Sequence, residues 1–138
     1  MTDALILDTC AIIWGAGGQS ISEQATKAIN AAEANNDEIY FSPISAWEIG
    51  LLVKRGRLHI AGRPSRWFQS ATVKKGLKAC ELTTEVLIES SFLPGKLHDD
   101  PADRIIIASA REFGLRIVTR DRKILAYADL GEVKALEC

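Results

Sequence analysis

Ala4-Leu5-Ile6-Leu7-Asp8 is a short unbroken apolar run stopped by an acid. A strand buried on both faces reads this way, because a parallel sheet covered by helices leaves no face for polar residues. Leu115-Arg116-Ile117-Val118-Thr119-Arg120-Asp121 repeats the pattern late in the chain, again ending in an acid. Between them the chain alternates. Glu38–Phe41, a stretch near Ala79–Leu82 and Val133–Leu136 read as further strands. Ser20-Ile21-Ser22-Glu23 resembles a capping box opening a helix through Ala25, Ala28, Ile29 and Ala32, which Asn35-Asn36-Asp37 ends. Ser42-Pro43 starts a helix that runs to about Arg55, where Gly56 stops it. Pro64 to about Lys75 reads as another, and Thr83 caps one through Val86, Leu87 and Phe92. Asp100-Pro101 leads into an apolar helix over Ala102–Phe113, closed by Gly114, and a short helix runs from Asp121 to Tyr127. Strands alternating with helices predict a three-layer α/β/α domain with a mostly parallel central sheet.

The 138 residues suit one domain, and 47% hydrophobic with 25% charged residues is ordinary globular composition, which excludes disorder and disulfide scaffolds. No apolar run approaches the roughly 20 residues of a membrane span, and the first residues lack the basic region of a signal peptide. Cys10, Cys80 and Cys138 are scattered and fit no zinc spacing, pointing to a reducing, cytoplasmic setting. The net charge of -1 conceals an asymmetry. Of 17 basic residues, eight lie between Ile49 and Cys80, a stretch without Asp or Glu; the other nine share the rest of the chain with all 18 acids. Such a stretch suits a polyanion, nucleic acid first, or simply a solvated face. Lys54, Arg55 and Arg57 are the candidate RNA-binding residues within it.

Ligands of open parallel sheets bind beyond the carboxyl ends of the strands, where Asp8 and Asp121 fall. Each also suits a helix N-cap, and Asp103, with Asp100 as cap and Pro101 next, suits the positive end of a helix dipole. Glu48 is less easily explained. Helical spacing groups it with Ile44, Leu51 and Leu52 on an apolar stripe, where a carboxylate needs either an arginine or a metal ion. Carboxylates gathered in an apolar cleft repel by roughly 4 kcal/mol per pair at 4 Å and an effective dielectric near 20. Hard cations such as Mg²⁺ or Mn²⁺ remove that cost, and the phosphodiester hydrolysis they support uses a metal-activated water. His59 and His98 lack a zinc-type spacing, and His98 beside Asp99-Asp100 reads as a solvated loop more readily than as a metal aid. Trp14, Trp47 and Trp67 read as core or interface residues, and Arg104 and Arg120 as partners of the site acids or of RNA phosphates.

Leu5-Ile6-Leu7-Asp8-Thr9, Ser45-Ala46-Trp47-Glu48-Ile49, Asp100-Pro101-Ala102-Asp103-Arg104 and Val118-Thr119-Arg120-Asp121 together resemble the PIN-domain ribonucleases, and among them the VapC-type toxins of bacterial toxin–antitoxin modules. The resemblance runs from about residue 3 to about residue 136 and implies that 1–138 form a single PIN-like nuclease domain. It implies that Asp8, Glu48, Asp103 and Asp121 surround Mg²⁺ or Mn²⁺, with Thr9 and Thr119 in support. It further implies an endoribonuclease, typically a homodimer, silenced by a cognate antitoxin in its active-site groove. The family usually carries an aromatic where Ala102 stands. A non-catalytic PIN-like module that binds RNA or a partner is the alternative, and loss of one acid would favour it. A DNA substrate is disfavoured because no duplex-binding addition is evident. A haloacid-dehalogenase-type enzyme would need an acid where Cys10 stands, and a phosphoacceptor signalling domain would need a central Asp and a late Lys-Pro pair.

Overall fold

A computed structural model describes residues 4–17 and 20–138. Its described strands form one five-stranded sheet: β1 (Leu5–Leu7), β2 (Ile39–Phe41), β3 (Lys78–Ala79), β4 (Arg116–Thr119) and β5 (Lys134–Glu137). The order is β3-β2-β1-β4-β5, and every pairing is parallel. β1 is central, with Leu7 beside Phe41 on one side and Val118 on the other. The chain builds outward from β1 through β2 and β3, then returns to add β4 and β5. The reversal opens a crevice beyond the carboxyl ends of β1 and β4, where open sheets of this kind bind ligands.

Alternation along β1 sorts the core into layers. Leu5 packs with Ala25, Ala32 and Leu136 on one face, under α2 (Glu23–Ala34). Ile6 faces the opposite side, with Ile106 and Ile107 of α6 (Pro101–Phe113) and Ile124 and Tyr127 of α7 (Arg122–Asp129). Ile6, Ile106, Ile107, Ile117 and Ile124 are wholly buried, each stabilising the fold by about 1.5–3 kcal/mol. A third cluster joins Ile12, Phe41, Ile49 and Ala71, where α1 (Thr9–Ala16), α3 (Ile44–Lys54) and α4 (Pro64–Ala71) meet β2.

Several elements depart from the sequence expectation. Residues 9–16, for which the sequence offers only Asp8 as a possible N-cap, form α1, a mostly apolar helix capped by Asp8, whose Oδ1 accepts from Ala11 N at 2.8 Å. Its residues Thr, Ile, Ile and Trp are indifferent helix formers and show no amphipathic period, so packing rather than propensity makes the helix. α2 is capped by Ser22, not Ser20: Ser22 Oγ accepts from Ala25 N at 3.0 Å and donates to Glu137 O at 2.9 Å, so β5 sets where the helix begins. The helix from Pro64 ends at Ala71 rather than Lys75. Thr72 hydrogen-bonds back to Phe68 O at 2.7 Å, and a 3-10 turn follows over Val73–Lys75. β3 covers Lys78–Ala79 and stops short of Leu82. α5 (Thr84–Glu89) ends before Phe92, which is exposed. Gly114, at φ 66°, closes α6 in the left-handed conformation that side-chain-bearing residues resist.

Candidate active site

Three helices start at the crevice, and an acid caps each one. Asp8 caps α1, Asp100 caps α6 through Asp103 N at 2.9 Å, and Asp121 caps α7 through Lys123 N and Ile124 N at 2.8 and 3.1 Å. Capping and site-building are therefore one arrangement rather than alternatives, since the positive helix ends offset part of the repulsion among the acids.

Asp8 is buried at the end of β1. Its Oδ2 accepts from the hydroxyl of Thr119, and that same hydroxyl accepts from Asp121 N at 2.9 Å. Thr9 plays the corresponding part for Glu48: its hydroxyl donates to Glu48 Oε1 and lies 2.9 Å from Ser45 Oγ. Glu48 does not sit on the buried stripe of α3. Ser45 and Ile49 are the buried residues of that helix, whereas Glu48 is half-buried together with Ile44, Leu51 and Leu52, so the stripe they share borders the core rather than filling it. One step round the helix gives Ile49 to the core and turns the carboxylate to the crevice. Trp47, expected in the core or an interface, is 53% exposed.

On α6, Asp103 Oδ2 is 2.7 Å from Nε2 of His98, whose ring is largely buried rather than solvated. Potential ligand atoms of His98, Asp103 and Asp121 lie within 4.8 Å of one another, as do those of Glu48, Asp100 and Asp103. Asp103 thus belongs to two overlapping triads. Asp8 belongs to neither; it adjoins them through Thr119 and Asp121. Sequence reasoning ranks His98 as a metal aid below a solvated loop and takes Asp100 only as a cap, because a loop histidine and a capping Asp have ordinary explanations. The signal available in sequence is their spacing in His98-Asp99-Asp100-Pro101-Ala102-Asp103.

Burial pushes Asp8 up to about 6, against the hydrogen bonds from Thr119 and Ala11 N, with the charges of Asp121 and Glu48 adding to the rise. Burial also pushes Asp103 up to about 6, opposed by His98 and reinforced by Asp100, Asp121 and Glu48. Glu48 rises by burial too, opposed by Thr9. The Cys10 thiol is pushed up to about 12, by desolvation first and then by the charges of Asp8, Glu48, Asp103 and Asp121. Four acids acting on one thiol mark a common negative potential. Such a cluster attracts a divalent cation or a cationic side chain.

Neither flanking arginine pairs with a site acid among the described residues. Arg104 donates from Nε to Ser90 O at 2.9 Å and from NH1 to Leu97 O and His98 O at 3.3 and 3.2 Å, which pins the loop ahead of α6. Arg120 lies over the Trp14 ring at 4.1 Å and donates to Ser20 O at 2.6 Å. Ala102 is buried. Lys54, Arg55 and Arg57 are exposed at and beyond the end of α3; Lys54 is about 9 Å along the helix from Glu48 at 1.5 Å per residue. A cavity of about 870 Å³ lies at the amino ends of β4 and β5 around Arg111, Arg116 and Glu132, away from the acids.

A parallel α/β fold with carboxylates gathered at its topological switch point is shared with a known class of proteins: the PIN domain family model matches residues 5–130. The chain belongs to the PIN-domain family, and VapC-type ribonucleases are among its relatives. It is 32% identical over 127 residues to Ribonuclease VapC22 of Mycobacterium tuberculosis (strain ATCC 25618 / H37Rv), covering 92% of this chain and 93% of that protein. The fold is similar to VapBC2 from Rickettsia felis bound to a DNA fragment from its promoter, with a TM-score of 0.67 at 13% identity over 97% of this chain and 98% of that one. It is also similar to DNA-bound VapBC from Salmonella typhimurium, with a TM-score of 0.66 at 18% identity over 99% and 98%. Among the described residues no helix is long and apolar enough to cross a membrane.

Proposed function

We propose that this chain is a Mg²⁺- or Mn²⁺-dependent endoribonuclease and the toxin of a toxin–antitoxin pair. The observation that carries the reading is the set of carboxylates collected at the carboxyl ends of β1 and β4 in a chain 32% identical to a VapC ribonuclease. Asp8, Glu48, Asp103 and Asp121 are the residues that would hold the cation. The donor set fits one, since oxygens dominate it and Asp8, Glu48 and Asp103 are all raised, by burial first and then by one another's and neighbouring acids' charge, a cost that a bound cation offsets. A divalent cation supplies charge neutralisation for the phosphodiester and activation of the attacking water.

The chain's own residues prepare that site. Thr119 and Thr9 hold Asp8 and Glu48 in fixed orientation, so little reorganisation is left for the moment of reaction. Lys54, Arg55 and Arg57 offer phosphate contacts beside Glu48 and draw single-stranded RNA across the crevice. Retention of all four acids argues against a non-catalytic binding module.

An unguarded ribonuclease in the cytoplasm damages its own cell, so a cognate antitoxin is part of the reading. A basic side chain from it would be drawn to the same negative potential as the cation. Exposed Trp47, with Leu51 and Leu52 on the same helix, offers apolar surface for an antitoxin helix. The active species is proposed to be a homodimer.

The test is incubation of the purified chain, freed of any partner, with pooled cellular RNA and Mn²⁺ or Mg²⁺. Cleavage that is abolished by chelator and by Asp8→Asn is expected. Intact RNA under all conditions, together with equal growth of hosts expressing the chain or its Asp8→Asn variant, would leave the binding-module reading in its place.

A further inference from the structure

We infer that His98 supplies a nitrogen ligand to the proposed cation site and thereby biases it toward Mn²⁺ over Mg²⁺; the inference rests on the metal-site reading above. His98 Nε2 lies 2.7 Å from Asp103 Oδ2, and its ligand atom falls within 4.8 Å of those of Asp103 and Asp121. Donors around one small dication, at about 2.0–2.2 Å from it, stand roughly 3–4.4 Å apart, so a bound cation would displace the proton between His98 and Asp103, widen their 2.7 Å contact slightly and draw Asp121 in.

What holds the ring in place decides between a ligand and a mere hydrogen-bond partner. Nδ1 of His98 is buried and makes no hydrogen bond, so no acceptor behind the ring fixes it. Its position comes from the backbone instead. Arg104, one residue beyond Asp103, gathers the carbonyls of Ser90, Leu97 and His98, and Asp100 caps α6 between them. The segment from His98 to Asp103 is thus closed on itself, with the imidazole and the carboxylate presented to the same point.

Selectivity follows from donor chemistry. Mg²⁺ demands hard oxygen ligands and keeps its waters, whereas first-row transition dications accept imidazole alongside carboxylate. With carboxylates alone the site would treat the two ions similarly; a nitrogen donor tips it toward Mn²⁺.

The experiment uses the purified full chain, loaded with Mn²⁺ and studied by electron spin-echo spectroscopy, with Mg²⁺ competition to read relative affinity. Wild type should show ¹⁴N modulation from a directly bound imidazole. His98→Gln, which can keep a hydrogen bond to Asp103, should lose that modulation and lower the Mn²⁺-over-Mg²⁺ preference by about tenfold or more. Bound Mn²⁺ without nitrogen coupling in wild type, or an unchanged preference in a folded His98→Gln variant, overturns the inference alone. If the variant does not fold, the wild-type spectrum decides. Failure of wild type to bind either ion overturns the metal-site reading itself.

Discussion

The hydroxyl of Thr119 joins Asp8 to Asp121: it donates to the Asp8 carboxylate, 111 positions away in the chain, and accepts the Asp121 backbone N–H at 2.9 Å. Thr119 is wholly buried, so no water can replace it. Thr119→Val removes the donor that holds the Asp8 pKa down and leaves the Asp121 N–H without its acceptor. It should cost about 1–3 kcal/mol in urea denaturation and reduce RNA cleavage, while Thr119→Ser keeps most of both. Equal loss in the Ser and Val variants would assign Thr119 to packing alone.

Asp8 and Asp103 each titrate near 6 in the fold against 3.8 in the unfolded chain. A raised acid favours the folded state when protonated, so this stabilisation is full below about 3.8 and is lost as pH rises through about 6. Asp8→Asn removes one such group. Without metal, the variant should gain on wild type between pH 4 and pH 6 and hold a constant lead above, of at most about 3 kcal/mol. Added Mn²⁺ should close the gap by stabilising wild type only. A difference that does not change with pH in chelator contradicts the burial of Asp8 as a lone carboxylate.

Lys54, Arg55 and Arg57 stand exposed beyond Glu48 on the only long stretch without acids. Their joint replacement by Gln should weaken RNA binding and flatten its log–log salt dependence by roughly 0.7 for each phosphate that is no longer neutralised on a single strand. Exposed as they are, melting should barely change. An unaltered salt slope moves these residues to a protein interface.

Cys10 is an exposed residue whose thiol is held protonated by desolvation and by the surrounding acids. At pH 8 its alkylation by iodoacetamide should be far slower than that of a free thiol in the unfolded chain, because the thiolate is the reacting form. Asp8→Asn should quicken it. Rapid labelling of the native wild type would show that the negative potential does not reach Cys10.

The apolar runs ending at Asp8 and Asp121, the helix after Asp100-Pro101 and the stop at Gly114 are legible in the sequence because each rests on local chemistry: strand burial, capping, the proline ring and positive φ. Helix α1 is legible only in its cap, Asp8, since Thr9–Ala16 carries neither a period nor strong helix formers, and its helicity comes from packing at the crevice. Glu48 shares its half-buried side of α3 with Ile44, Leu51 and Leu52, and the fully buried side lies one step round, at Ser45 and Ile49. Spacing alone groups these four residues but not how deep they lie; Ile49, packed with Phe41 and Ala71, takes the core position and leaves Glu48 at the rim.

The residue types at the ends of β1 and β4 were enough to determine a parallel α/β chain with acids at its carboxyl edge, because a strand's burial and a helix's start are written within a few neighbouring residues. Which acids share ligand distance, that His98 faces Asp103 and Asp121, and that Arg104 holds a loop instead of an acid were decided only by the tertiary structure. Those relationships depend on the strand order that sets β4 beside β1 and on three helix ends meeting at one crevice, and no local pattern encodes distances between segments brought together from across the chain.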